Sequence, residues 1–471
     1  MEHISIIYSA PTGTARIPYE TFEDIKMTGI LPANVLRLMQ ELPDAADTEL
    51  RQKTFRSLCD GGTQELEKLS RQLYELSELY TAYDNAETDS VKKYIFAALL
   101  YRQFRFYKSA SKLNCAEGFL LGFKVHFKEL YDEAAAAEAE RVYNALITSV
   151  NIEIKEDSLT LKQSGDKGYI ADIRRCAAEM GIELSEPPFT HKEFGSDISL
   201  ALSSLFSDSW KMLSDHYDSY RKLLDRDILD YIDQLDFYIY NTKLALEYTS
   251  HSIPICYAGF GEDISIAEGY DVTLMAKKCY DIIPNDITFC ADKPVYFLAG
   301  ANGGGKTTYL RTVGVCVILS LWGCPVPARH SRICRLTSVL THFPRDERFE
   351  LEGRLLDEQN RVEAILSDMG ERSLILLNET YATTNEEKAS KMTCELAQSL
   401  KNKGQFAVYV THQKRAQETE IPMLCCVVDE NDGGRRTYKI RPLNNAVRSH
   451  AEDILKKYSL SRADLEERFG I

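Results

Sequence analysis

The sequence predicts an α/β domain of the P-loop NTPase class in its C-terminal half, preceded by a mostly α-helical region. Three observations carry this. A short apolar run, Val295 to Ala299, ends in Gly300-Ala301-Asn302-Gly303-Gly304-Gly305-Lys306-Thr307, the pattern Gly, four residues, Gly, Lys and Ser or Thr. Further apolar runs, Leu374 to Leu377 and Phe406 to Val410, alternate with helical stretches and end in Asn378-Glu379 and Thr411-His412. Before about Ser252, long charged segments rich in Leu and Tyr run with few breakers and read as helices.

Taken in order, residues 1–50 mix short apolar segments with turn signals and name no chemistry. From Arg51 to His251 the chain reads as a helical core and lever region, with Arg71 to Tyr83, Ser90 to Lys108 and Glu117 to Ser149 as long helices. Within it, a β insert is expected over about 150–169: Asn151-Ile152-Glu153-Ile154 and Leu159-Thr160-Leu161 alternate around a break at Asp157, the pattern of a hairpin. Residues 252–471 form the α/β domain. Its expected elements are strands in ISIAEG and ITFC, a buried helix over Tyr309 to Leu321, a strand within Leu336 to Phe343, and helices over Asp357 to Met369 and Lys388 to Lys401. Charge dominates Arg345 to Asp357, and Cys425-Cys426 reads as a buried strand end. Parallel strands separated by helices carry their ligand site at the carboxyl edge.

Composition narrows the function. With 471 residues, 44% hydrophobic and 27% charged, the chain can build two or three domains with a large core. The net charge of −15 opposes a general basic field that coats nucleic acid. Twelve scattered cysteines without CxxC pairs read as reduced thiols. With no secretory leader pattern, they point to the cytoplasm. The uncharged stretch from Thr312 to Ala328 is broken by Gly323, Pro325 and Pro327, so a buried helix is expected there and no membrane span.

The loop chemistry is specific. Gly303, Gly304 and Gly305 let backbone N–H groups close around a polyphosphate, since no Cβ blocks their approach. Gly300, Ala301, Asn302 and Thr308 complete the expected nucleotide-binding stretch. Lys306 reaches the β and γ phosphates, Thr307 offers a hydroxyl to Mg²⁺, and the following helix adds its N-terminal dipole. An NTPase needs a second acidic element that holds the metal and orients water. Asn378-Glu379 fits: Glu379 can polarise the water, while Asn378, in place of the usual aspartate, reaches the metal with one charge fewer. His412, the third candidate, can sense or hydrogen-bond the γ phosphate. Arg329, His330, Arg332 and Arg335 read as a solvated basic cluster, and Arg435, Arg436, Lys439 and Arg441 as positive charge guarding an edge strand.

In this order the motifs resemble the MutS family of mismatch-repair ATPases. Ile266 to Asp271 (IAEGYD) and Ile282 to Asp286 (IIPND) are similar to its landmarks before the loop. GANGGGKTTYLR is similar to its GPNMGGKSTYMR, CPVPA to its Val-Pro-Ala turn, LILLNE to its LVLMDE strand, VTHQ to its ATHY, and Ser449 to Phe469 to its dimerising helix-turn-helix. The resemblance implies an ABC-like, MutS-type fold and a homodimer that sandwiches ATP and Mg²⁺, with Gly353-Arg354 facing the partner's nucleotide. It also sets Ile282 at the adenine-stacking position, with Tyr280 as a substitute. Leu355 stands where relatives have a serine. With Asn378, this implies slow hydrolysis. A mismatch-reading domain is not expected, because the chain opens close to the lever helices.

Three readings remain open at this point. The first is a dimeric ATP-driven switch that contacts DNA by structure and not by mismatch, in repair or recombination. The second is a nucleotide-gated assembly or ribosome-associated factor with protein partners. The third is an ATPase relic that only binds.

Overall fold

The computed structural model describes residues 4–9, 15–44, 47–115, 117–146, 150–155, 158–163, 207–344, 351–381, 386–412, 416, 419–429 and 435–443. The described residues divide into two compact units. One joins the first residues to Gln64–Asp236, and the other joins Ile7–Thr63 to the chain from Phe237 onward.

The N-terminal helices α1 (Tyr19–Asp24), α2 (Ala33–Leu38) and α3 (Thr48–Gly61) belong to the second unit. They are tied to it by buried polar contacts. Thr21 Oγ1 donates to Val339 O at 3.1 Å, and Trp322 Nε1 donates to Met39 O at 3.2 Å. Fully buried Arg51 donates through Nε to Trp322 O at 2.8 Å and through Nη1 to Ile7 O at 2.7 Å.

The first unit is helical: α4 (Gln64–Asp84), α5 (Asp89–Ser111), α6 (Phe119–Leu130), α7 (Glu133–Leu146) and, after a hairpin, α8 (Ser207–Tyr220). Leu66, Leu69, Leu73, Leu76 and Tyr80 bury one stripe of α4 at three- and four-residue steps. Phe106, Phe123 and Phe127 form an aromatic core, with ring centroids 4.7 Å apart for Phe123 and Phe127. The single helix expected over Glu117 to Ser149 is two helices. Asp132 Oδ1 accepts from the N–H groups of Ala134 at 2.9 Å and Ala135 at 3.1 Å, so an N-cap restarts the helix where the residue types alone predicted continuation. The hairpin is β1 (Val150–Lys155) paired antiparallel with β2 (Ser158–Gln163).

Beyond α9 (Tyr231–Ser250), the second unit holds two sheets. β3 (Gly259–Phe260), β4 (Ile264–Gly269), β5 (Asn285–Phe289) and β7 (His330–Ile333) form a four-stranded sheet in the order β3-β7-β4-β5. The larger sheet contains β6 (Val295–Ala299), β8 (Ser338–His342), β9 (Ser373–Asn378), β10 (Phe406–Val410), β11 (Met423–Asp429) and β12 (Arg435–Pro442). Its order is β12-β11-β6-β10-β9-β8. It is parallel except for β12, which pairs antiparallel at the edge.

Both faces of this sheet are covered, which is why β9 and β10 are buried at every position. Phe297, Ile375, Leu377, Ala407 and Tyr409 share a core with Ala397 and Leu400 of α12 (Glu386–Asn402) and Val362 of α11 (Leu351–Asp368). On the other side lies α10 (Lys306–Leu321), in contact with strands of both sheets and buried almost all round. A Cβ on its Gly314 would lie 2.9 Å from Ile25 Cγ2 and 3.2 Å from Leu376 Cδ1. This double burial explains the uncharged stretch after the loop. Among the described residues no helix is long and apolar enough to cross a membrane.

Three expectations need correction. Helix α10 begins at Lys306 and not at Tyr309, because Gly305, with φ of 100°, caps it directly. Helix α11 begins at Leu351, inside the stretch expected to be dominated by charge. Cys425 and Cys426 lie within β11 and are half-buried, one strand from the edge. The segment Ser449 to Phe469 lies outside the described residues.

Candidate functional site

Strands β6, β10 and β9 are neighbours, so the glycine-rich loop, Thr411-His412 and Asn378-Glu379 all emerge at one edge of the sheet. The loop folds tightly because of its glycines. Gly300 has φ of 133° and Gly303 of 69°, values that cost other residues dearly. Gly304 is held differently: a Cβ there would lie 2.9 Å from Ala301 O.

Lys306 is buried, and its Nζ donates to Gly300 O at 2.9 Å and to Ala301 O and Asn302 Oδ1 at 3.3 Å. Burial pulls its ammonium below the ordinary lysine value. The Glu379 carboxylate opposes that shift and the Arg436 guanidinium reinforces it. The Cys426 thiol beside it is pushed up to about 11 by burial and stays neutral. Thr307 and Thr308 occupy the first turn of α10, both half-buried.

Glu379 sits just past β9 in the left-handed region, with φ of 54°, and its N–H donates to Val410 O at 3.1 Å. Its Oε1 lies 3.0 Å from His412 Nε2, and this hydrogen bond holds the carboxyl below the usual carboxylate range against the opposing effect of burial. Behind it the backbone is anchored. Thr380 Oγ1 is 3.0 Å from His342 Nδ1, and Tyr409 OH donates to Thr380 O at 2.9 Å. Asn378 Oδ1 is buried with no hydrogen-bond partner among the described residues. A cradle lined by glycine, an unpartnered buried amide oxygen and a nearby threonine hydroxyl suit a polyphosphate with a hard divalent cation.

The remaining candidates are more distant in the chain. Tyr280 is exposed and stacked on His251, with centroids 3.8 Å apart and planes 10° apart, whereas Ile282 is buried. Gly353 and Arg354 lie in the first turn of α11.

Residues 296–471 match the family model for MutS domain V. Over this segment the chain is similar to the MutS family. It is 27% identical over 215 residues to the DNA mismatch repair protein MutS of Fervidobacterium nodosum, a match covering 41% of this chain and 26% of that protein. Endonuclease MutS2 of Clostridium kluyveri is 28% identical over 185 residues, covering 39% of this chain and 23% of the relative. The human MutS protein homolog 4 is 26% identical over 213 residues, covering 44% and 22%. The chain thus spans about a quarter of the length of these MutS relatives.

Sequence reasoning missed one side of the site. Between Cys426 and Val428 the β11–β12 register shifts: Cys426 faces Ile440 and Val428 faces Arg436, so four steps along β12 oppose two along β11. This bulge includes Tyr438, with φ of 56°. Asn285, of the IIPND motif, clamps the bulge: its Nδ2 donates to Tyr438 O at 3.1 Å, and its Oδ1 accepts from Ile440 N at 2.8 Å. Alternating charge along β12 signalled an edge strand, and only the bulge turns Arg436 and Tyr438 onto the loop.

Proposed function

We propose that this chain is a MutS-type ATPase, a dimeric switch that binds ATP with Mg²⁺, hydrolyses it slowly and contacts DNA through its helical unit. The convergence of Lys306, Glu379 and His412 at the ends of three adjacent strands carries the reading. MutS domain V is an ATPase domain, which supports it.

In this reading the loop N–H groups hold the phosphates, and Lys306 exchanges its bonds to the loop's own oxygens for bonds to the β and γ phosphates. Thr307 and Asn378 would hold Mg²⁺, which neutralises charge on those phosphates. Glu379 accepts a hydrogen bond from the attacking water, and His412 fixes the carboxylate's orientation. A carboxylate held below its usual range is a weaker base. Together with the charge lost at Asn378, this argues for low turnover. Gly353 and Arg354 would face the partner subunit's nucleotide, Tyr280 would stack on adenine beside Ile282, and Ser449 to Phe469 would hold the dimer.

Binding of ATP with Mg²⁺ to the full chain and to Lys306→Ala tests the assignment. Loss of binding or turnover in the variant is expected, and undiminished activity would refute it. The net charge of −15 favours one competing reading, an assembly factor that recognises protein partners. Salt-dependent binding to duplex, branched and single-stranded DNA separates the two. Absence of binding at low salt in every nucleotide state would favour the assembly factor.

A further inference from the structure

The Arg436 guanidinium lies against the centre of the glycine-rich loop. A Cβ on Gly303 would fall 2.6 Å from Arg436 Nη1, so the guanidinium end rests on the loop backbone itself, at a glycine that φ of 69° requires. The contact depends on a built feature. The β12 bulge, the left-handed Tyr438 and the two hydrogen bonds from Asn285 re-aim the strand, and Tyr438 Cδ1 would sit 3.6 Å from a Cβ on Gly305. Other cations of this strand are differently engaged: Arg441 pairs with Asp286 at 3.2 Å, and Lys439 Nζ donates to Pro284 O at 2.5 Å. Arg436 has no acidic partner among the described residues, and it is exposed at the loop mouth.

Two cations, Arg436 and Lys306, therefore face one loop. Their mutual repulsion calls for an anion between them. Position along the sheet edge then separates the roles. Glu379 and His412 follow β9 and β10 on one side of β6, while Arg436 comes from β12 on the other.

We infer that Arg436 is a phosphate-contacting residue supplied in cis, which grips the phosphates common to ATP and ADP on the side of the loop away from Glu379. The inference rests on the nucleotide reading of the loop. A guanidinium so placed supplies fixed positive charge that the single loop lysine does not, and its planar donors suit phosphate oxygens.

Equilibrium binding of ATP and of ADP to the full chain, with Mg²⁺ at about 0.1 M salt, tests this in the wild type, Arg436→Ala, Arg436→Gln and Arg436→Lys. Both neutral variants are expected to lose about tenfold in affinity, about 1.4 kcal/mol, for ATP and ADP alike, with the melting temperature unchanged. Arg436→Lys is expected to recover part of the loss for both ligands. Wild-type affinity for ADP in Arg436→Ala and Arg436→Gln would overturn the inference while leaving the nucleotide reading intact. A wild-type chain that binds neither nucleotide would remove both. Should alanine loosen the bulge and lower the melting temperature, Arg436→Gln decides, since it keeps the aliphatic stem and a hydrogen-bonding end without charge.

Discussion

His412 Nε2 and Glu379 Oε1 lie 3.0 Å apart, across the ends of two adjacent strands, although the residues are 33 positions apart in the chain. The contact has two consequences for Glu379. It ties the carboxylate to the end of β10, and it keeps it ionised below the usual range. The sign follows from linkage: a depressed carboxyl pKa contributes stability that is present above the unfolded value and is lost as pH falls through the folded one, below 4.5. Both side chains are more than a third exposed, so the contribution is about 1 kcal/mol at most.

Glu379→Gln should therefore keep ATP binding and lose about 10²-fold or more of any turnover. The wild-type rate should show no acid limb from this group above about pH 5. A pH–rate profile of the wild type with binding measured in parallel for the variant checks both statements.

The loop glycines make a graded prediction. Gly300→Ala combines φ of 133° with a Cβ 2.9 Å from Cys426 Cβ and 3.0 Å from its backbone N, so a loss of about 2–3 kcal/mol is expected. Gly404→Ala, with φ of 66° but open space around it, should cost only about 1 kcal/mol. Thermal melts of the two variants should rank in that order.

How much of this was legible in the sequence depends on what each element answers to. Phe406 to Val410 was readable to the residue because a strand buried on both faces is a continuous apolar run with polar ends. The glycine-rich loop was equally plain. Boundaries set by a single capping residue were not: Asp132 restarts a helix inside a run of strong helix formers, and Gly305 caps α10 four residues before its expected start at Tyr309. Arg436 was hidden for another reason. Charge alternation assumes a regular strand, and the β12 bulge, clamped by Asn285 from 155 positions away in the chain, breaks that period.

Asp271 is a buried carboxylate with a pH signature. It caps a 3₁₀ turn, accepting from Thr273 N at 3.1 Å and Thr273 Oγ1 at 2.5 Å, while its Oδ2 has no hydrogen-bond partner among the described residues. Burial pushes its pKa up to about 6. A raised carboxyl pKa means the contribution is fully present below the unfolded value and is lost as pH rises through about 6. Asp271→Asn keeps an acceptor for Thr273 and cannot ionise. Its melting temperature relative to wild type should therefore rise by a few degrees between pH 4 and pH 7.5, and an unchanged difference would reject the assignment.

Arg51 gives the strongest stability prediction, because it holds the N-terminal segment in the second unit. Its guanidinium is fully buried, lies 5.9 Å from the Trp322 ring centroid, and donates to the carbonyls of Trp322 and Ile7 and to Thr48 Oγ1 at 3.2 Å. Burial lowers its pKa from the ordinary arginine value, but a guanidinium stays protonated at any pH where the protein folds. Arg51→Ala leaves those carbonyls without their donor and opens a cavity beneath Trp322, for an expected loss of about 3–5 kcal/mol. Arg51→Lys should rescue little, since one ammonium cannot reproduce the forked contacts to residues 7, 48 and 322. Denaturation followed by Trp fluorescence tests this directly. A lysine variant as stable as wild type would show that charge alone, and not the fork, secures the segment.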